Sequence, residues 1–338
     1  MKKLLILLCV GFMSCTFTFK NSNAEIIEYK TYDLGTQEDL YNGLEDNEQI
    51  IASGTLEFPL ANKCKDIDKY PVMFLIHHSG GDIMPGYKEF FHNLCVATFE
   101  PHILKSRGHN AFDTDTSDEV VWVTEVAGAV DSLLALDVVA QHKKVNSKSI
   151  GILGWSWGGS VAIETQNKFF LDRVKTKNTF VFHYALYPYC FQYEDTQTSD
   201  APLMILMGDE DAMLPHQLCV EYIESLDKDT KDILLFEGVT HSYDIDYSDT
   251  IEDAIVSNQC RMYFNTEGEL WMKPDDPTKW FNLTSNGGWF GDKGDPTLYE
   301  NVMDQCWGWG PTPNVRDEHA IQTSLSLIEN DVQTFLVQ

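Results

Sequence analysis

The chain is short of positive charge. Its 338 residues hold 24 lysines and arginines against 52 aspartates and glutamates, a formal net charge of −28 at pH 7. A field of that sign repels phosphate backbones and anionic lipid, so nucleic acid and acidic membrane surfaces are poor partners. No cysteine pair has the C-x-x-C spacing, which argues against a zinc knuckle or a dithiol redox site. There is no internal repeat, and past the amino terminus no apolar run is long enough to cross a bilayer. What is present is the composition of a folded protein, 43% hydrophobic and 12% aromatic, which excludes a disordered chain. The length suits one large α/β domain with insertions, or two ordinary domains.

The first residues have the form of an export signal. Lys2 and Lys3 precede an apolar stretch from Leu4 to Phe19, and "NSNA" then supplies the small residues Ser22 and Ala24 ahead of Glu25. We expect a signal peptide over residues 1–24, with Ala24 the last residue removed, and an exported, periplasmic or extracellular mature chain. Lipid anchoring through Cys15 fits poorly because of Phe12 and Met13. The leader holds three lysines and no acids, so the mature charge becomes −31. Six cysteines remain, Cys64, Cys95, Cys190, Cys219, Cys260 and Cys306, and export permits disulfides among them.

Beyond the leader, short and nearly continuous apolar runs recur at 70–79, 95–101, 149–156, 179–189, 201–211 and 231–241. Such runs suit parallel strands covered on both faces. Between them, 119–144 and 214–226, and finally 324–336, carry apolar residues at helical spacing. The alternation predicts an α/β fold with a mostly parallel central sheet flanked by helices, its function gathered at the strands' carboxyl ends. We expect one domain over 25–338. From about 244 to 313 the rhythm breaks into an aromatic-rich insertion before the last helix, with Trp271, Trp280, Phe281, Trp289, Phe290, Trp307 and Trp309. So long a structureless loop does not suit a packed domain, which predicts short strands or a folded insertion there, closed by Cys260 with Cys306.

The chemistry centres on "GILGWSWGGS" (151–160), which contains G-x-S-x-G with Gly154, Ser156 and Gly158. A serine raised on a turn between strand and helix needs neighbours without side chains, so that strand and helix can approach closely. "SIGIL" before it reads as a strand and "SVAIETQNKFF" after it as a helix. A serine hydroxyl needs a base, usually a histidine oriented by a carboxylate. For a serine so presented, acid and histidine follow in that order, each beyond a later strand. "LMILMGDEDAMLP" offers Asp209, Glu210 and Asp211, and "ILLFEGVTHSYD" offers His241. The oxyanion would take amides from Trp157 and from the loop "LIHHSGGD" (75–82), Ser79 first and then Gly80. His77 and His78 read as loop-shaping.

Together these segments resemble the dienelactone hydrolase family of the α/β-hydrolase superfamily, from about Leu56 to the C-terminus. The resemblance is carried by "FLIHHSGG", "EPHILKSRGHN", "SIGILGWSWGGSVA", "LMILMGDEDAMLP" and "GVTHSYD", and at the tail by "NQCRMYF…GELW" and "DQCWGWGPTPN". It implies an α/β-hydrolase fold and hydrolysis of small-molecule esters or lactones without metal or organic cofactor. Its G-x-x-D spacing selects Asp211 as the acid, and its histidine matches His241. The enzyme that names the family has a cysteine nucleophile where this chain has Ser156, which points to a serine esterase of that lineage rather than to dienelactone.

Gly80, Arg107 and Trp155 remain as candidate substrate contacts, Arg107 against a structural ion pair and Trp155 against plain core. A sequon spans Asn282-Leu283-Thr284. Triad chemistry alone does not separate an esterase from a serine peptidase or acyltransferase on the same fold, and a non-catalytic binding protein is the third reading.

Overall fold

The computed structural model of the protein describes residues 23–65, 67–109, 123–226, 229–246, 248–257, 260–274, 280–283, 297, 300, 302 and 305–337. The expected leader lies outside them except for its last two positions, as do Thr284 of the sequon, Trp289 and Phe290.

Among the described residues, nine strands precede the insertion: β1 (Ala24–Tyr32), β2 (Gln49–Glu57), β3 (Tyr70–Ile76), β4 (Ala97–Pro101), β5 (Val145–Trp155), β6 (His183–Leu186), β7 (Gln192–Tyr193), β8 (Leu203–Gly208) and β9 (Lys231–Phe236). Eight of them build one sheet in the order β1-β2-β4-β3-β5-β6-β8-β9. β1 and β2 run antiparallel, as do β2 and β4, and every pair from β4 to β9 is parallel. β1 begins at Ala24 and was not legible in the sequence. Its outward positions Ile26, Glu28 and Lys30 and inward Tyr29 and Thr31 follow the one-sided alternation of an edge strand, with charge on the outside.

The parallel strands bury both faces because alternate side chains enter two separate cores. From β3, Met73 and Leu75 join one core, whereas Val72, Phe74 and Ile76 join the other. Each large apolar side chain so buried contributes about 1.5–3 kcal/mol. Among the described residues the α-helices, in chain order, are α1 (Gln37–Asn42), α2 (Tyr87–Asn93), α3 (Glu125–Val139), α4 (Trp157–Glu164), α5 (Lys168–Val174), α6 (His216–Ser225) and α7 (Glu318–Asp331). Thr124 caps α3 and Asp317 caps α7, each accepting from a backbone N–H of the first turn. The single helix expected after Ser156 is two, because Asn167 accepts from the Phe169 N–H at 2.8 Å and starts α5 afresh.

The insertion does form short strands. β10 (Asp249–Ser257) pairs with β14 (Trp307–Asn314), while β11 (Arg261–Phe264), β12 (Leu270–Lys273) and β13 (Phe281–Asn282) extend from β7. A disulfide joins Cys260 to Cys306, as expected, and two more join Cys64 to Cys95 and Cys190 to Cys219. Phe281 and Trp307 pack against the first core, and Trp280 and Trp309 are exposed. No helix among the described residues is long and apolar enough to cross a membrane.

Register fixes where the loops meet. Ile76 lies beside Gly154, Trp155 beside Leu186, and Gly208 beside Phe236. The loops after β3, β5, β6, β8 and β9 therefore emerge along one edge of the sheet.

Candidate active site

Ser156 stands between the last residue of β5 and the first of α4, with φ 51° and ψ −117°. A non-glycine residue at positive φ is strained, and it persists only where the surroundings over-determine it. Here the determinants are backbone contacts. A Cβ on Gly154 would lie 1.9 Å from the Gly158 carbonyl oxygen, and one on Gly158 would lie 2.4 Å from the carbonyls of both Ile76 and His77. The Ser156 N–H donates to the Leu186 carbonyl at 2.9 Å, which pins the turn to β6.

His241 lies beyond β9, and its Nε2 is 3.1 Å from the Ser156 Oγ. Its Nδ1 is 2.6 Å from an Asp211 carboxylate oxygen, Oδ2. The other oxygen of Asp211 accepts from the N–H groups of Met213 and Leu214, at 2.9 and 2.8 Å. Asp211 is thus fixed from its own loop on one side and aimed at the imidazole on the other. Asp209 faces elsewhere and accepts from the Gly238 N–H at 2.7 Å. All three members are buried, at 8% exposure or less. The Tyr187 ring meets His241 edge-on, with centroids 4.8 Å apart.

The loop after β3 is held by its histidines. Gly80 N–H donates to the His78 Nδ1 at 2.9 Å and Gly81 N–H to the His78 carbonyl at 2.9 Å. Gly81 sits at φ 83°, where glycine is unstrained. The Ser79 N–H, like the Trp157 N–H that opens α4, has no hydrogen-bond partner among the described residues, whereas that of Gly80 is occupied. Accepting from Gly80 places the His78 proton on Nε2. Burial holds His78 below its usual pKa, with Asp82 opposing the shift and His241 adding to it. His77 stacks on Trp157 at 5.1 Å and its Nδ1 lies 2.7 Å from the His78 carbonyl. Burial lowers its pKa to about 4, so it is neutral near pH 7.

Two expected substrate contacts are corrected. Arg107 directs all five N–H donors at the protein: Nε to Asp33, Nη1 to Ile103 and Asp131, and Nη2 to Tyr32 and Asp131. It is an ion-pair hub between β1 and α3, and a guanidinium so engaged has no donor left for a substrate. Trp155 is fully buried, its Nε1 donates to Asp244 at 3.2 Å, and its ring lies edge-on to Tyr87 at 4.8 Å. It is core beneath the serine. Gly80, half-buried, stays in the loop facing the site.

Sequence reading missed Asp244, which is buried and accepts from Tyr87, Trp155 and Tyr187. The only local signal was its place in "THSYD", three residues after His241. No group of three or more His, Cys, Asp or Glu side chains among the described residues is arranged to hold a metal ion.

No curated protein matches the sequence. Among solved structures, a dienelactone hydrolase-like promiscuous phosphotriesterase from metagenomic libraries is similar at 12% identity and a TM-score of 0.45. The alignment covers 65% of this chain and 84% of that one. The paraoxon-phosphorylated esterase 2 of Thermogutta terrifontis is similar at 15% identity and a TM-score of 0.45, over 66% of this chain and 85% of that one. The model of the dienelactone hydrolase family matches residues 90–263. That span is just over half the chain and takes in the serine turn, the acid loop and the histidine, and on it the chain belongs to the dienelactone hydrolase family, a hydrolase acting on ester bonds.

Proposed function

We propose that the protein hydrolyses a small-molecule carboxylic ester or lactone through an acyl-enzyme on Ser156, with His241 as general base and Asp211 as its orienting acid. The observation that carries this is the continuous chain of short contacts, 3.1 Å from Ser156 to His241 and 2.6 Å from His241 to Asp211, ending on a serine held at positive φ.

The steps follow from that geometry. His241 Nε2 takes the hydroxyl proton as Ser156 Oγ attacks the carbonyl carbon, and Asp211 stabilises the imidazolium at Nδ1. The amides of Trp157 and Ser79, both without hydrogen-bond partners among the described residues, would supply two donors for the tetrahedral oxyanion, each worth roughly 3–4 kcal/mol of barrier. The imidazolium then protonates the leaving alkoxide. Water activated by the neutral imidazole attacks the acyl carbon and releases the acid, which returns Ser156 to its starting state.

A fluorophosphonate probe tests the reading, with one label per chain expected on Ser156 and turnover of short nitrophenyl esters far above that of peptide amides. Preferential turnover of amides would instead indicate a peptidase on the same fold, and absence of labelling would indicate a binding protein. We also propose that the mature chain is exported after cleavage near Ala24. What supports this is the pairing of all six remaining cysteines, since disulfides persist in oxidising compartments.

A further inference from the structure

A buried carboxylate with three donors lies directly behind the proposed triad and has no part in the acyl transfer. Asp244 Oδ1 accepts from Tyr187 Oη at 2.6 Å, and Oδ2 accepts from Tyr87 Oη at 2.8 Å and from Trp155 Nε1 at 3.2 Å. Tyr87, Trp155 and Tyr187 are themselves buried. Each donor belongs to a different element: Tyr87 to α2, Trp155 to the end of β5 just before Ser156, and Tyr187 to the loop after β6. Asp244 belongs to the loop of His241. One side chain therefore joins the strand carrying the serine to the loop carrying the histidine.

The backbone bears the mark of that junction. Tyr187 has φ 39° and Ser242 has φ 52°, both strained for residues with a Cβ. Tyr187 is held there from two ends, by its hydroxyl on Asp244 and by its N–H on the Leu206 carbonyl at 2.7 Å. Its ring is the edge-on neighbour of His241.

We propose that Asp244 is a positioning residue for this site, a hub that holds Trp155, Tyr187 and the histidine loop in register so that His241 faces Ser156. The proposal rests on the reading of Ser156, His241 and Asp211 as the reacting groups. Burial raises the Asp244 pKa, and the hydrogen bonds from Tyr187, Tyr87 and Trp155 oppose that shift. Facing Asp244 are Tyr87, Tyr187, Trp155 and Tyr243, none of them cationic. Facing His241 are Asp211, Ser156, the Tyr187 ring and His78, with Asp82 beyond His78.

The test is Asp244→Asn, with Tyr187→Phe and Tyr87→Phe beside it, each assayed on a short nitrophenyl ester and normalised to fluorophosphonate-labelled sites. We expect Asp244→Asn to keep KM within about twofold and to lose up to about a hundredfold in kcat, the scale of an ångström of misplacement. Each Tyr→Phe variant, losing one donor, should show a smaller loss in kcat of the same kind. Unchanged kcat per labelled site would overturn the proposal, as would a loss fully explained by unlabelled protein. If Asp244→Asn does not fold, the two Tyr→Phe variants decide by the same criteria. Failure of the unmodified protein to label at Ser156 would sink the triad reading instead, and so the two failures are distinct.

Discussion

Gly208 and Val239 are in backbone contact. A Cβ on Gly208 would stand 1.9 Å from the Val239 carbonyl oxygen, and the Glu210 N–H donates to that same oxygen at 3.0 Å. The turn bearing Asp211 and the turn bearing His241 are therefore one unit, and the 2.6 Å contact between those side chains depends on it. Gly208→Ala should lower unfolding stability by about 3 kcal/mol or more, since backbone cannot yield as a flexible side chain would. Chemical denaturation measures this, and a loss under about 1 kcal/mol would contradict the contact.

Ser156→Ala should cut turnover of nitrophenyl acetate by at least about a thousandfold, leaving only what binding and oxyanion donors provide. Fluorophosphonate labelling should vanish with it, while the circular dichroism spectrum stays that of the parent. Retained turnover would refute the nucleophile.

The two aspartates of the acid loop should part company. Asp211→Asn leaves the imidazole in the wrong tautomer and should reduce kcat by about ten-thousandfold. Asp209→Asn touches only the Gly238 turn, so its effect should be about 1 kcal/mol of stability with kcat near that of the parent. Equal kinetic losses in the two variants would show that the acid assignment is wrong.

Arg107→Met removes the cation from a pair in which the Asp131 side chain is fully buried. Stability should fall by about 3–5 kcal/mol, because an uncompensated charge is left inside. Turnover per labelled site should hold. A raised KM at constant stability would restore Arg107 as a substrate contact.

Glu164 is buried and accepts a hydrogen bond from Tyr193 Oη at 3.0 Å, and burial raises its pKa well above 4.5. The Coulomb repulsion of Glu125 acts in the same direction. A carboxyl that holds its proton more tightly when folded contributes stability below the unfolded pKa and loses it as pH rises towards the folded pKa. The slope is up to about 1.4 kcal/mol per pH unit. Glu164→Gln should thus match the parent in thermal midpoint below about pH 4.5 and gain on it progressively above that. Midpoints measured across pH 4 to 8 check this, and a constant offset would refute it.

Much of the scaffold was written locally. Runs such as "YPVMFLI" are buried along their whole length because both faces of a parallel strand are covered, and apolar continuity reports that directly. Gly154 and Gly158 flank Ser156 for a steric reason that a five-residue pattern captures. The strand β1 escaped notice because an edge strand alternates polar and apolar residues, and "AEIIEYKTY" carries as much charge as a loop. The break at Asn167 was missed as well, although asparagine is poor inside a helix and good at its start, because apolar residues continue at helical spacing on both sides of it.

The sequence by itself determined the order of elements, the serine on its turn, and a later acid loop and histidine, because strand burial, turn sterics and chain order act over a few residues. Only the tertiary structure decided which partners those residues have. Through the residues alone Asp209 and Asp211 were rivals, and it is Asp211 that meets His241, 30 positions away. Arg107 met Asp131 instead of a substrate, and Trp155 turned inward to Asp244, 89 positions along the chain. Such contacts depend on strand order and register across the sheet, which no local window of sequence contains.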